Sequence, residues 1–107
     1  MRDEVLYQRG NTLVRRLRLE PGEAMPWHVD PHRRFAVVVE GKSLAIQYRD
    51  GDDPQQFQVE PGQSGWDEPT DRPHRGVNTG EVPYEEVTIF FLDGPGAVPQ
   101  PSVDLSP

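Results

Sequence analysis

Short apolar runs broken by proline and glycine are the feature that most constrains the fold of this chain. No stretch repeats its apolar residues at every third and fourth position, as an amphipathic helix would. Thr12–Leu19 and Ser43–Arg49 instead alternate apolar and polar residues, which is typical of strands with one buried face. Turn residues such as Pro61-Gly62 and Asp50–Asp53 separate the runs. The pattern predicts an all-β fold, a single-domain antiparallel jelly-roll barrel of about eight or nine short strands.

The predicted strands in chain order are Val5–Gln8, Thr12–Leu19, Met25–His32, Arg34–Glu40, Ser43–Arg49, Gln56–Glu60, Ser64–Asp67, His74–Asn78 and Tyr84–Leu92. Glu68–Pro73 is predicted to be a polar loop. Arg15 interrupts a face of the second strand that is otherwise formed by leucines. The end of the chain is rich in proline and has no packed periodicity, so we predict a barrel over residues 1–93 and an extended tail over residues 94–107.

Composition narrows the classes of partner. At 107 residues the chain is expected to form one domain. Its formal net charge of −7 argues against a nucleic-acid partner, and its longest apolar run, Phe35–Val39, is too short to cross a membrane. The chain has no cysteine, and the first ten residues have no apolar segment like that of a secretory signal. We therefore expect a cytoplasmic protein that binds a small molecule.

His28, Asp30 and His74 are the candidate metal ligands. Residues two apart on a strand face the same side, so the side chains of His28 and Asp30 point together. With His74 from a distant strand they would form a set of two histidines and one carboxylate, which suits divalent ions with open coordination positions. The alternative is that the histidines are ordinary loop residues and that Asp30 forms an ion pair with Arg33 or Arg34.

The spacing around these residues resembles the two motifs of the cupin superfamily. Cupin motif one has a glycine, five residues, His-x-His, three or four residues, a glutamate, six residues and a glycine. This chain has the same spacing with Gly22, His28, Asp30, Arg34 and Gly41 at those positions. Asp30 thus replaces the second histidine, and Arg34 replaces the glutamate.

Cupin motif two has a glycine, five residues, Pro-x-Gly, two residues, a histidine, three residues and an asparagine. Gly62, Pro69, His74 and Asn78 match it with one inserted residue, and Asp71 replaces the motif glycine. The resemblance covers about residues 12–92 and implies a small single-domain cupin of the RmlC-like type, with a double-stranded β-helix. Full cupin sites bind a metal through three histidines and one glutamate.

The resemblance implies a mononuclear divalent-metal site, for Fe, Mn, Ni or Zn, held by His28, Asp30 and His74. The expected activity is that of a dioxygenase or an isomerase acting on a small polar molecule. The alternative is a metal-free cupin that binds a small anion or serves as an oligomeric interaction module. A 2-oxoglutarate oxygenase has the same ligand types, but it would place an arginine further beyond the distal histidine than Arg75.

Three further residues are candidates for the same site. His32 lies one strand step beyond Asp30 and is a possible additional ligand, or else a rim histidine. Arg34 cannot bind a metal, because its guanidinium only donates hydrogen bonds. It would either neutralise Asp30 or hold an anionic ligand by two hydrogen bonds. Trp66 is expected in the barrel core or at the mouth of the pocket. Barrels of this type commonly form homodimers through edge strands, for which Val5–Gln8 is the candidate.

Overall fold

A computed structural model describes residues 1–92 and the backbone of residues 103 and 104. Within these residues the chain forms ten β-strands and no helix. The strands are β1 (Arg2–Arg9), β2 (Thr12–Leu19), β3 (His28–Asp30), β4 (Arg33–Glu40), β5 (Ser43–Tyr48), β6 (Gln55–Gln58), β7 (Ser64–Asp67), β8 (Thr70–Asn78), β9 (Tyr84–Phe91) and β10 (Val103–Asp104). The all-β class predicted from the punctuated apolar runs is confirmed. The part of the chain that the structure describes holds no helix with the length and apolar character needed to cross a membrane.

The strands form two antiparallel five-stranded sheets. The first sheet has the order β1-β2-β9-β4-β7 and the second the order β10-β3-β8-β5-β6. Strands distant in sequence lie side by side in both sheets, as in a jelly roll, and the two inner faces enclose a common cavity. The inner face of the first sheet and that of the second are called here the first wall and the second wall of the cavity.

Period-two alternation determines which residues reach the core. In β2, Leu13, Leu17 and Leu19 are fully buried, whereas Val14, Arg16 and Arg18 on the other side of the strand are partly exposed. Burying each of these leucines contributes about 2 kcal/mol. Leu13 packs with Phe90 and Leu92, whereas Leu17 and Leu19 pack in a separate cluster with Val38 and Tyr84. Arg15 lies on β2 between the two clusters, so the apolar core is divided where a polar residue faces inward.

The turn between β4 and β5 requires glycine at position 41. Gly41 has a φ of 141°, and a Cβ atom there would lie 2.8 Å from the Cδ2 atom of Tyr84. Tyr84 is itself buried in the core, so its ring has little room to withdraw. The closing glycine of motif one is therefore explained by the packing of β9 against this turn.

Asn78 has an equally structural role at the end of motif two. Its side-chain amide donates hydrogen bonds to the carbonyl oxygens of Leu19 and Val82, at 3.0 and 2.9 Å. Its side-chain oxygen accepts a hydrogen bond from the backbone of Gly80 at 2.9 Å. The buried asparagine thus joins the turn after β8 to the end of β2.

Two of the predicted boundaries were wrong. Glu68–Pro73 is not a loop throughout, because β8 already begins at Thr70, which pairs with Asp30 of β3. The pairing overrides the turn preference of the sequence, and the carbonyl oxygen of Pro73 accepts a hydrogen bond from the backbone of Arg49. In the predicted strand Met25–His32, only His28–Asp30 is a regular strand.

The predicted tail lies outside the described residues, apart from the backbone of Val103–Asp104. That pair forms β10 and lies antiparallel to β3, with Val103 opposite Val29 and Asp104 opposite His28. The division between residues 93 and 94 stays a prediction. At the other end of the chain, β1 lies at the edge of the first sheet, and Val5, Leu6 and Tyr7 are exposed there.

Candidate metal centre

The three predicted metal ligands meet on the second wall. His28 and Asp30 face inward from β3, and His74 of β8 is the direct cross-strand partner of His28. The register shifts between His28 and Asp30, so that Asp30 lies opposite Thr70. All three side chains are buried, with 5%, 4% and 9% of their surfaces exposed for His28, Asp30 and His74. The neighbouring strands therefore bring residues distant in sequence into one enclosed cluster.

The Asp30 carboxylate lies at the centre of this cluster. Its Oδ2 atom is 2.8 Å from Nε2 of His74 and 3.4 Å from Nε2 of His28. The two imidazole rings are 4.6 Å apart between centroids. One ligand atom from each of the three residues lies within 4.8 Å of the other two. Small adjustments would let the three atoms surround a single ion.

Backbone contacts fix the orientation of both histidines. Nδ1 of His28 donates to the carbonyl oxygen of Pro26 at 2.8 Å, and Nδ1 of His74 donates to that of Arg72 at 2.7 Å. A carbonyl oxygen only accepts, so the proton of a neutral ring is on Nδ1 and the lone pair is on Nε2. Metal-binding histidines in proteins usually have such an outer hydrogen bond. Both rings thus turn the nitrogen that a metal requires towards Asp30.

This donor set fits a divalent ion. Two neutral imidazoles and one carboxylate suit Fe(II), Mn, Ni or Zn and leave coordination positions free for other ligands. The Asp30 carboxylate raises the pKa of His74, whereas burial and the charge of Arg34 act in the opposite direction. A divalent ion would compete with that proton for the same lone pair.

Arg34 is the residue that competes most directly with a metal for Asp30. Its guanidinium lies 3.4 Å from Oδ2 of Asp30 and also donates to the carbonyl oxygen of Glu68 at 3.4 Å. The side chain of Arg34 is largely buried beside the triad. The first of the two expectations for Arg34, that it pairs with Asp30, therefore agrees with the observed contact.

The triad opens onto a cavity of about 370 Å³ between the two sheets. That volume is within the usual range for small-molecule sites. Aliphatic side chains form much of the lining, including those of Leu44, Ile46 and Val59. The first wall contributes polar residues that the sequence analysis did not select: Arg15, Asp67, Tyr84, Glu86 and Thr88.

Glu86 is the acidic residue on the inner face of β9. Its side chain lines the cavity and is partly exposed. Burial raises the pKa of the Glu86 carboxyl, whereas the Arg15 guanidinium and a hydrogen-bonding interaction with Tyr84 oppose that rise. Burial, together with the neighbouring Glu86, also raises the pKa of the Tyr84 hydroxyl. In both groups burial favours the protonated form, which can donate a hydrogen bond.

Comparison with known proteins agrees with this architecture. A family model described as "Cupin domain" matches residues 15–90, which is most of the chain. This chain belongs to the cupin family. No functionally curated protein matches it.

Three solved structures illustrate the similarity. A cupin domain protein from Bordetella pertussis Tohama I is 20% identical with a TM-score of 0.73, over 83% of this chain and 90% of that one. The polyketide cyclase RemF from Streptomyces resistomycificus is 15% identical with a TM-score of 0.66, over 96% and 69% of the two chains. An oxalate oxidase is 21% identical with a TM-score of 0.62, over 89% of this chain and 46% of its own. At these identities the likeness establishes the cupin fold alone.

Two other predicted site residues of this cupin lie away from the triad. His32 is not part of the cluster of ligand atoms or of the cavity lining, and within the described residues its Nδ1 atom is buried without a hydrogen-bond partner. Trp66 is 50% exposed and packs against Phe91, with 5.4 Å between the ring centroids. Its strand neighbours Gly65 and Asp67 line the cavity instead, so alternation along β7 turns the Trp66 ring outward.

The sequence does contain a pattern that could have identified the cavity residues not selected from it. Tyr84, Glu86, Thr88 and Phe90 alternate along β9, and each pairs across the sheet with an inward residue of β2. The apolar run at the end of β9 obscures this alternation, because Val87, Ile89 and Phe91 on the opposite side are equally apolar. Arg15 was visible in the sequence as the polar interruption of an apolar face.

Proposed function

We propose that this cupin binds one divalent metal ion through His28, Asp30 and His74 and acts on a small polar molecule held in the cavity. The observation that carries the proposal is that both histidines direct Nε2 at Asp30 while carbonyl oxygens occupy their Nδ1 atoms. The expected reaction is of the oxygenase or isomerase type. When bound, the ion would supply Lewis-acid or oxygen chemistry at its open positions.

The chain's own residues would bind and orient the molecule. Leu44, Ile46 and Val59 exclude water from one side of the cavity, and Arg34 lies beside the triad with donors available for an acidic group. Glu86 and Tyr84 could hold or move a proton at the opposite wall.

Metal titration tests the proposal directly. Protein purified without an affinity tag would be stripped with a chelator and titrated calorimetrically with Mn²⁺, Ni²⁺ and Zn²⁺, and anaerobically with Fe²⁺. We expect one site per chain for at least one of these ions, lost in His28→Ala and in His74→Ala. His32→Ala is the matched control, because His32 is the third histidine of the chain and lies outside the triad. Absence of binding in the wild type under all four conditions would refute the proposal.

The contact between Arg34 and Asp30 favours a second candidate function, a metal-free cupin that binds a small anion. Here Arg34 would neutralise Asp30 permanently, in the place of an ion. Arg34→Glu would then create metal affinity that the wild type lacks, because it restores the glutamate of cupin motif one. If the wild type already binds metal as tightly as this variant, the second candidate fails.

We also propose that two copies of the chain associate through the edge strand β1. The backbone groups on its outer side are available for pairing, and Val5, Leu6 and Tyr7 are exposed. Light scattering after size exclusion would measure the mass. The proposal predicts twice the chain mass for the wild type and a reduced mass for Tyr7→Pro, because proline removes a donor at the strand edge. A monomeric wild type would contradict it.

A further inference from the structure

We propose that Arg15 and Thr88 form a binding site for a small carboxylate on the first wall of the cavity, apart from the His28–Asp30–His74 triad. Both side chains point into the barrel from adjacent strands. Arg15 of β2 and Thr88 of β9 are direct cross-strand partners, and both line the cavity. Only 6% of the Arg15 surface and 2% of the Thr88 surface are exposed.

Both residues carry a polar atom that no protein group satisfies. Within the described residues, Nε of Arg15 and Oγ1 of Thr88 are buried and have no hydrogen-bond partner. Leaving a buried donor unpaired costs about 1–3 kcal/mol, so two such atoms on a pair of cross-strand partners are unusual. A ligand that accepts hydrogen bonds from both would remove that cost. The pair therefore has the properties of a binding site completed from outside the chain.

The observed partners of Arg15 leave its Nε atom without a hydrogen bond. Its guanidinium lies over the Phe90 ring, 4.9 Å from the centroid, a contact that uses the face of the guanidinium and none of its N–H donors. The acidic group that contacts it is Asp3 on β1, with Oδ1 3.6 Å from Nε. That distance is too long for a hydrogen bond, and the Asp3 side chain is 40% exposed to solvent. The charge of Arg15 also acts on the Glu86 carboxyl, but this interaction is not a hydrogen bond.

The donor geometry and the charge of the cavity favour a carboxylate. A guanidinium presents its donors in a plane, which suits contact with the two oxygens of a carboxylate. Arg15 and Arg34 oppose Asp30, Asp67 and Glu86 around the cavity. With Glu86 protonated these charges balance without a metal, and a divalent ion at the triad would make the lining net positive and strengthen the binding of an anion. Protonation of Glu86, which burial promotes, would reduce repulsion further.

The cavity also limits the size of the ligand. About 370 Å³ accommodates a small organic acid that extends from Arg15 and Thr88 towards the triad. This placement gives the substrate class for the function proposed above and to that extent depends on it. Binding of the carboxylate to Arg15 and Thr88 requires no metal, however, so the two proposals can fail separately.

Calorimetric titration of malonate into chelator-treated protein tests the site. We expect saturable binding to the wild type, weakened at least about tenfold in Arg15→Gln and several-fold in Thr88→Val. Arg16→Gln is the matched control. Arg16 is the next residue of β2, faces outward and pairs with Glu4, so its loss should leave malonate binding unchanged.

The outcomes separate the two proposals. Metal titration of the same variants should give wild-type affinity, because Arg15 and Thr88 lie on the first wall and the triad lies on the second. The carboxylate site would be refuted if the wild-type protein did not bind malonate, or bound it no more tightly than Arg15→Gln does. This holds even if the metal site is intact. Binding of phosphate in preference to malonate would overturn the ligand class. Thr88→Val preserves the shape of the side chain, so it keeps the test decisive should Arg15→Gln fail to fold.

Discussion

The two walls of the cavity satisfy their polar groups in different ways. On the second wall, His28, Asp30 and His74 contact one another, and both outer ring nitrogens bond to carbonyl oxygens. On the first wall, Arg15 and Thr88 each leave a buried atom without a partner among the described residues. The second wall is therefore organised before any ligand arrives, whereas the first wall is complete only with a ligand. Removing the Asp30 carboxylate from the second wall should therefore lower the free energy of unfolding, whereas removing the polar group of Arg15 or Thr88 from the first wall should leave it unchanged or raise it.

Asp30→Asn should have the largest effect on stability. In chelator-treated protein it removes the carboxylate that His74 and Arg34 contact, leaving a largely buried arginine without its partner. Breaking such a buried pair costs about 3–5 kcal/mol. Urea unfolding would measure the loss. Asp53→Asn, in the exposed loop after β5, is the control and should change the free energy of unfolding by less than about 0.5 kcal/mol. A loss below about 1 kcal/mol for Asp30→Asn would show that the second wall is not organised around this carboxylate.

The pH dependence of stability tests the burial of Glu86. The pKa of the Glu86 carboxyl is affected by four charged or titratable groups, Arg15, Arg34, Asp30 and Tyr84. The folded-state pKa is raised, so the native state holds more protons than the unfolded state between the ordinary pKa of 4.5 and the raised value. Stability therefore falls as the pH rises through that window, by up to about 1.4 kcal/mol per pH unit.

Glu86→Gln should remove this loss, because glutamine does not titrate. The difference in free energy of unfolding between the variant and the wild type should increase from about pH 4 to pH 8. Glu85→Gln changes the neighbouring residue, which interacts with Arg18 on the outer face, and should not reproduce the trend. A difference that is flat with pH would place Glu86 in contact with solvent.

Arg15→Met should have a small effect or a favourable one. It replaces a buried, incompletely bonded cation with an apolar side chain of similar length, which proteins often tolerate without loss. We expect the free energy of unfolding to remain within about 1 kcal/mol of the wild type, or to rise. Arg34→Met is the comparison on β4 of the same wall and should cost more, since Arg34 contacts Asp30. Equal losses in the two variants would contradict the incomplete bonding of Arg15.

Thr88→Val should have the smallest effect. Valine keeps the shape of threonine and replaces a buried hydroxyl that has no partner in the described residues, so we expect a gain of up to about 1 kcal/mol. Thr70→Val is the matched control, because Oγ1 of Thr70 accepts a hydrogen bond from the backbone of Arg72 at 3.1 Å. That variant should lose about 1 kcal/mol. Losses of the same size in both variants would contradict the inference that the Thr88 hydroxyl makes no stabilising hydrogen bond.

The sequence was sufficient to predict the fold from local patterns, and the resemblance to the cupin motifs selected three residues that the structure brings together. Alternation in β2 and β5 indicated strands, and motif spacing paired His28 with Asp30 and brought in His74. Arg15, Glu86 and Thr88 could not be selected in the same way. Their importance depends on a cross-strand register that joins β2 to β9, and no local pattern gives that register. Trp66 shows the same limit, because its strand was predicted correctly but not the face on which its ring lies.

Because Arg34 contacts Asp30, the binding of a metal ion at the triad needs a direct measurement. The contact is compatible with a permanent ion pair and with an arginine that moves aside when a cation binds. Anomalous diffraction from crystals of tag-free protein grown with Mn²⁺ or Zn²⁺, measured on both sides of the absorption edge, distinguishes the two. We expect one peak in the barrel, about 2.0–2.3 Å from Nε2 of His28, Nε2 of His74 and a carboxylate oxygen of Asp30. A barrel without a peak, in which Arg34 still contacts Asp30, would contradict it.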